Sequence, residues 1–425
     1  ICATGAIRGG RIAPVARSGR RAELLIPTAA PDDHPAAPTR GPPLLARRHA
    51  ALPLLAILLV VSPAVRAQDP APAGDDTTGA PPNQARLFPP SLRRGDTVYL
   101  PQVRYAEETG PGAGLKILHR FRGAPEAAEA ASSEILLKGI FTLKGQQKIE
   151  LTGQRAWRAG AWSLKVKADY DDLATRFWGV GPDTPGGAEE AYRPRSLTAY
   201  LELFRRLVDG LRVGGRLEYQ RLELLDVAPG GVLAAGRLRG TDGRGVLGAG
   251  LVADWDTTDR RYSPTRGRHW QAFALMFDDK LGNTDNFDVW HVDLRQYLLL
   301  APGHVLALQA FTYTADGDAP FWRLAALGGR EHTRGYRRGR YLDHTLVALQ
   351  AEYRFPLWKR LGMVAFGGVG DVAPRPGLMQ LEHMRPTLGT GLRLATGGDD
   401  DVRARLDVAA GQHSLRLYLS LGEAF

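Results

Sequence analysis

Cysteine occurs once in the 425 residues, at Cys2, so the remainder of the chain can form no internal disulfide and no thiolate metal site. From Val98 onward there is no run of 18 apolar residues, which excludes helical membrane spans there. Helical periodicity is scarce. A long Lys/Arg block is also missing, although the formal charge is +10. Residues 1–67 hold nine Arg against three acids, and residues 68–425 hold 46 basic against 42 acidic residues. More than half of the surplus therefore sits in the first sixth of the chain, and nucleic acid is not an expected partner. The motifs of enzymes are lacking too: no G-x-S-x-G elbow, no H-E-x-x-H, no zinc-spaced Cys/His cluster and no phosphate loop. A lipid hydrolase would need a nucleophile and base facing one another, and the sequence names no such pair. The chain is read as no enzyme, with no cofactor and no metal. Asp278, Asp279, Asp285 and Asp288 leave only a weak Ca2+ option, without the order of an EF-hand.

The front of the chain reads as processing signals. Arg47 and Arg48 precede an apolar run from Ala50 to Val61 and then Val65-Arg66-Ala67, the marks of a signal peptide over 47–67 cut after Ala67. The competing reading is a membrane anchor, but about a dozen apolar residues fall short of the ~20 that span a bilayer. Residues 1–46 lie upstream of that signal and are expected to be absent from the mature protein. Residues 68–97, rich in Pro, Ala, Gly, Asp and Thr, cannot bury enough apolar surface to offset their ordering and read as a flexible periplasmic lead-in.

What is present, from residue 98 to 425, is alternation. Trp162, Leu164, Val166, Ala168 and Tyr170 share one face, with Ser163, Lys165, Lys167 and Asp169 on the other. The same parity runs through 345–355, 402–408 and the final Leu415, Leu417, Leu419 and Leu421. A strand shows this when its two sides meet different media. A soluble sandwich would put the apolar side inward. A transmembrane barrel puts it toward lipid, in segments of roughly ten residues, with charged neighbours toward a wet lumen. Segment length, mid-strand charges such as Glu352 and Arg405, and Trp near strand ends favour the barrel. Sixteen segments, from 98–105 to 413–425, predict an all-β fold: a closed transmembrane antiparallel β-barrel of 16 strands. Turns at 300–302 and 356–360 are short, while 171–192, 224–244, 314–341 and 370–385 are long and are expected on the outer side.

Two stretches sharpen this reading. Leu327-Gly328-Gly329 leads to Thr333-Arg334-Gly335-Tyr336, and Ala351 through Leu357 reads AEYRFPL. With DTTDRRYSPTRG at 256–267, Gly389 through Arg393, Arg405-Leu406-Asp407 and the final LYLSLGEAF, the region 96–425 resembles the membrane domain of the Omp85 superfamily, bacterial surface antigen (D15) type. The resemblance implies a sixteen-stranded outer-membrane barrel whose sixth outer loop folds inward. It implies help with insertion or translocation of polypeptide, or lipid, through a seam between the first and last strands that opens toward lipid. The implied partners are outer-membrane lipids and lipopolysaccharide, unfolded outer-membrane or secreted clients, and the barrel assembly machinery for the chain's own insertion. Members usually carry POTRA domains before the barrel, and only thirty residues lie between Ala67 and the first segment, so a POTRA-less member is expected.

The residues also speak for themselves. Glycines around Arg334 permit tight turns, and a guanidinium offers five donors in a fixed fork, suited to pinning the loop onto inward carboxylates. Glu352 and Asp407 are candidate partners. The alternative is a solvated basic loop facing lipopolysaccharide phosphates, since Arg330, Arg337, Arg338 and Arg340 crowd nearby. Where the family usually places an Asp partner this chain has Gly368, which leaves Asp371 or Glu352 to take the role. Leu417, Leu419, Leu421 and Phe425 resemble the C-terminal assembly signal of such barrels, the alternative being an ordinary final strand. A passive pore or structural surface-antigen barrel is the competing functional reading.

Overall fold

A computed structural model describes residues 92–94, 97–106, 109–121, 133–395 and 403–425. The segments expected as 1–46 and 47–67 lie outside the described residues, as does most of 68–97. The strands are β1 (Leu92–Arg94), β2 (Thr97–Ala106), β3 (Gly110–Phe121), β4 (Ser133–Thr142), β5 (Gln147–Trp157), β6 (Trp162–Asp172), β7 (Thr175–Phe177), β8 (Glu190–Val208), β9 (Leu211–Val227) and β10 (Gly245–Asp256). They continue as β11 (Gly267–Phe277), β12 (Phe287–Ala301), β13 (His304–Gly317), β14 (Ala325–Leu327), β15 (Tyr341–Asp343), β16 (Thr345–Trp358), β17 (Leu361–Ala373), β18 (Arg385–Ala395), β19 (Arg403–Gly411) and β20 (Ser414–Leu421). Eighteen of them form one antiparallel sheet, and β14 pairs with β15 as a separate ribbon. Each long strand pairs with its neighbours in the chain, so the sheet is a meander. Two-residue reversals such as 209–210 and 302–303 lie at one end and long connections at the other.

Burial is inverted relative to a water-soluble protein. Leu251, Met276, Leu388, Leu415, Leu417 and Leu419 stand exposed on one face, each more than 60% accessible. Their neighbours one residue away in sequence point to the opposite face, where Glu202, Glu218, Asp254, Glu352 and Asp407 are almost completely buried. Charged groups are rarely buried unless paired, and here they are. Glu202 meets Arg216 at 2.8 Å, Asp254 meets Arg212 at 3.1 Å, and Asp293 accepts from Gln309 at 2.7 Å and Arg295 at 2.5 Å. We call these the outer, apolar face and the inner, charged face. Among the described residues no helix is long and apolar enough to cross a membrane, which says nothing of crossing by strands.

The expectation of a closed barrel of 16 strands is corrected. Among the described residues β20 pairs only with β19, and no backbone pairing joins β20 to β2. The sheet contains β1 and β7 in addition to its sixteen strands of eight or more residues. Two features of β2 account for the missing closure. β1 pairs with Thr97, Val98 and Tyr99 on the side away from β3, so both edges of that stretch are taken. Two residues further on stands Pro101, which lacks an N–H. A proline is tolerated inside a strand when its nitrogen faces an open edge, not a ladder.

Candidate functional site

The connection between β13 and β16 turns back onto the inner face. The ribbon β14–β15 forms its stem, and Gly181 bridges to Leu342 from the connection after β7. At the tip, Gly329 N–H donates to the Tyr336 carbonyl at 3.1 Å, Gly339 N–H to Leu327 at 2.9 Å, and Gly328 N–H to the Thr333 hydroxyl at 2.9 Å. Gly328 and Gly335 hold φ of 101° and 112°, in the region L side chains avoid. A Cβ at Gly335 would also stand 2.6 Å from the backbone of Ala410 and Gly411. Gly335→Ala is therefore expected to lift the tip off β19, read as faster amide exchange over 328–340, with the strands themselves unchanged.

This tight turn delivers Arg334 to the inner face, where it is wholly buried. Its Nη1 donates to Asp407 Oδ2 on β19 at 2.8 Å, and its Nη2 forms an ion pair with Glu352 Oε2 on β16 at 2.7 Å. The guanidinium lies 3.4 Å from the ring centroid of Phe366 on β17. Asp407 and Glu352 are as buried as the arginine. Arg393 ties Asp407 to a third carboxylate: its Nη1 donates to Asp407 Oδ1 at 2.5 Å and its Nε to Glu423 at 2.6 Å, with Glu352 at 3.5 Å from its Nη2. Arg354 donates to Glu352 at 2.8 Å and to the Phe425 carbonyl at 2.9 Å.

The network also receives the opposite end of the sheet. In the stretch 256–267, Asp259 accepts from Thr265 N–H at 2.8 Å, its hydroxyl at 2.5 Å and Arg266 N–H at 3.1 Å. Partial burial opposes ionisation of Asp259, but these hydrogen bonds hold its carboxyl below the ordinary range. The turn presents the Pro264 carbonyl to Arg354 at 3.3 Å and Ser263 to Glu423 at 3.4 Å. Loop tip and turn thus meet on one set of carboxylates.

The tip is fastened to the last strands as well. Gly335 N–H donates to the Tyr418 hydroxyl at 3.0 Å, and Ser414 Oγ donates to the Gly335 carbonyl at 2.6 Å, both from β20. The Tyr336 hydroxyl donates to Pro386 at 3.0 Å and accepts from Gln412 N–H at 2.9 Å. His332 stacks on Phe311 at 4.1 Å, and burial lowers its imidazole pKa.

The structure therefore brings Gly328, Gly329, Arg334, Gly335, Tyr336, Glu352 and Asp407 together. Asp371 is elsewhere: it pairs with Arg385, whose guanidinium also lies 3.7 Å from the Tyr341 ring centroid, and it does not reach Arg334. Gly368 has no room for a side chain, since a Cβ there would stand 2.6 Å from the Leu349 carbonyl oxygen. Leu417 and Leu419 lie on the outer face, and the side chain of Leu421 falls outside the described residues. Phe425 does not continue that face. Gly422 turns the chain at φ 88°, and Phe425 is buried with Tyr297 and Ala307. The four aspartates at 278–288 do not act as a set: Asp278 accepts from Lys280 N–H at 2.7 Å, Asp285 pairs with Arg239 at 3.0 Å, and Asp288 lies within β12. Among the described residues no group of three or more His, Cys, Asp or Glu could hold a metal ion.

Sequence reading missed Arg354, Arg393, Tyr418, Ser414, Glu423 and Phe366 as members of the site. The available signal was parity. Ser414, Arg416 and Tyr418 alternate with the outward leucines, and Arg393 and Arg405 fall opposite one another across β18 and β19.

Residues 148–425 match the Omp85 superfamily domain. The outer membrane protein assembly factor BamA of Nitratidesulfovibrio vulgaris is 30% identical over 129 residues, a stretch covering 29% of this chain and 16% of that protein. The chain thus spans about a sixth of that relative's length. Among solved structures, BamA from Haemophilus ducreyi lacking POTRA domains 1-3 superposes with a TM-score of 0.53 at 13% identity, over 77% of this chain and 70% of that one. CdiB from Acinetobacter baumannii gives 0.49 at 10% identity, over 76% and 59%. At 13% identity the likeness to the H. ducreyi protein shows the fold alone. With the family match extending from β5 to Phe425 and taking in the whole Arg334 site, the chain belongs to the Omp85 superfamily, and it is a protein of the bacterial outer membrane.

Proposed function

We propose that this chain, as a D15-type member, assists insertion or translocation of polypeptide, or of lipid, at the bacterial outer membrane. The observation that carries the reading is the open seam with the loop tied beside it: among the described residues β20 has no partner beyond β19, and Gly335 is bonded to Tyr418 and Ser414 of β20 itself. An unpaired edge in hydrocarbon leaves N–H and C=O groups unsatisfied, at a cost of several kcal/mol each. An incoming strand removes that cost by adding to the sheet. Arg334, held by Glu352 and Asp407, would anchor the loop and so set the position of β20. The curated relative from N. vulgaris is named an assembly factor for outer membrane proteins, which agrees with unfolded outer-membrane or secreted clients. Outer-membrane lipids would contact the leucine face, and lipopolysaccharide the long connections. Leu417, Leu419, Leu421 and Phe425 would be the C-terminal signal by which assembly machinery inserts the chain itself.

A passive pore is the weaker reading, because the inner face around Arg334 is packed by the loop and closed to solvent. Liposome reconstitution separates the two. The chain is expected to accelerate insertion of unfolded client barrels several-fold, with low steady conductance. High conductance with no acceleration across several clients would overturn the insertase reading in favour of a pore.

A further inference from the structure

The edge of β2 is already occupied by the chain's own backbone. Leu92, Arg93 and Arg94 pair with Tyr99, Val98 and Thr97, and those three residues pair on their other side with Ile117, Leu118 and His119. Nothing further can pair with Thr97–Tyr99 while β1 is in place. We propose that β1 is a built-in competitor for the seam, a short strand that blocks the β2 edge and must leave before another strand can add there. This rests on the strand-addition reading above.

The local sequence suits a strand that holds weakly and stops early. Only Gly95 and Asp96 separate the paired Arg94 and Thr97, so β1 arrives through a two-residue connection and at high effective concentration. Its ladder is three residues long, and so short a hairpin is marginal on its own. Pro89 and Pro90 stand just upstream and cannot donate to a longer ladder, whereas a proline-free strand can continue along β2 past Pro101 with the loss of a single donor. β1 therefore shields the edge from adventitious pairing, yet yields to a strand that offers a longer ladder.

The test uses the full chain in detergent with Cys2→Ser, plus Arg93→Cys and Val98→Cys. These two positions are direct cross-strand partners, a separation a disulfide can bridge. The probe is a photoreactive peptide of this chain's own last strand, Ser414–Leu421, with crosslinks mapped by mass spectrometry. The expected result is a disulfide on mild oxidation, at least about fivefold less labelling of β2 in the oxidised protein, and recovery on reduction. That factor corresponds to about 1 kcal/mol of β1 pairing. Arg93→Pro in the otherwise unchanged chain is expected to raise labelling above wild type. Failure of the disulfide to form, or equal labelling of β2 in oxidised, reduced and Arg93→Pro proteins, overturns the proposal. Because peptide capture reads the edge directly, a failure of client insertion in liposomes would overturn the insertase reading and leave this one standing.

Discussion

Replacing Arg334 by alanine is expected to free the loop tip from the inner face and to lower client insertion several-fold while the protein still enters the membrane. Two buried carboxylates lose a cation at once, Asp407 from an aligned hydrogen bond and Glu352 from an ion pair. Breaking a buried pair from one side costs about 3–5 kcal/mol, because the partner's charge stays desolvated. Arg393 and Arg354 still hold those carboxylates, so the loss falls on loop docking and not on the sheet. Arg334→Lys is expected to rescue little, since one ammonium cannot serve both acids and lie flat on Phe366. Asp407→Asn should be as severe as Arg334→Ala, because Asp407 accepts from both Arg334 and Arg393. Amide exchange and protease cutting over residues 328–340 read the docking. An unchanged cutting pattern in Arg334→Ala would mean that the arginine does not hold the tip.

A charge on the leucine face is expected to be as damaging as a break in the inner network. Leu251 lies midway along β10 and is 73% exposed. In a water-soluble protein Leu→Arg at such a site would change stability by no more than about 0.5 kcal/mol. Facing hydrocarbon, the same substitution costs about 2–4 kcal/mol near the midplane. Leu251→Arg is thus expected to lower the yield of membrane-inserted protein, measured by refolding into lipid vesicles and heat-modifiable gel mobility. Ser196→Arg, on the inner face of β8 directly across from Asp171, is the control, since a guanidinium there meets a carboxylate and not lipid. Equal tolerance of both substitutions would sink the lipid-facing assignment of the outer face.

Much of this was legible because parity is a local property. Alternation in Trp162–Tyr170 or Val347–Phe355 depends on neighbours two residues apart, and the strands lie within a few residues of those segments at most ends. Arg334, Glu352 and Asp407 were legible as a set because glycines flank the arginine and both acids sit on the charged parity. Their company was not. Arg393, Tyr418 and Ser414 come to the site through the register of β18, β19 and β20, and register depends on pairings between distant residues. Asp371 failed as a partner for the same reason: three residues along β17 moves a side chain about 10 Å, into reach of Arg385.

Phe425 and the seam mark the limit. Its place at the end of the alternating leucines did not say where its ring goes, and it is Gly422 that turns the chain and delivers the ring to Tyr297. Closure was inferred from an even count of strands, yet Pro101 in the first of them already argued for an open edge.

By itself the sequence determined the strand class, the two faces and the residue types that could pin a loop, since each follows from side-chain chemistry at a period of two. Only the tertiary structure decided which carboxylates hold Arg334, where Phe425 lies and that, among the described residues, β2 pairs with β1 and not with β20. Those outcomes depend on competition between backbone edges far apart in the chain, and the winner is set by ladder geometry that no local pattern encodes.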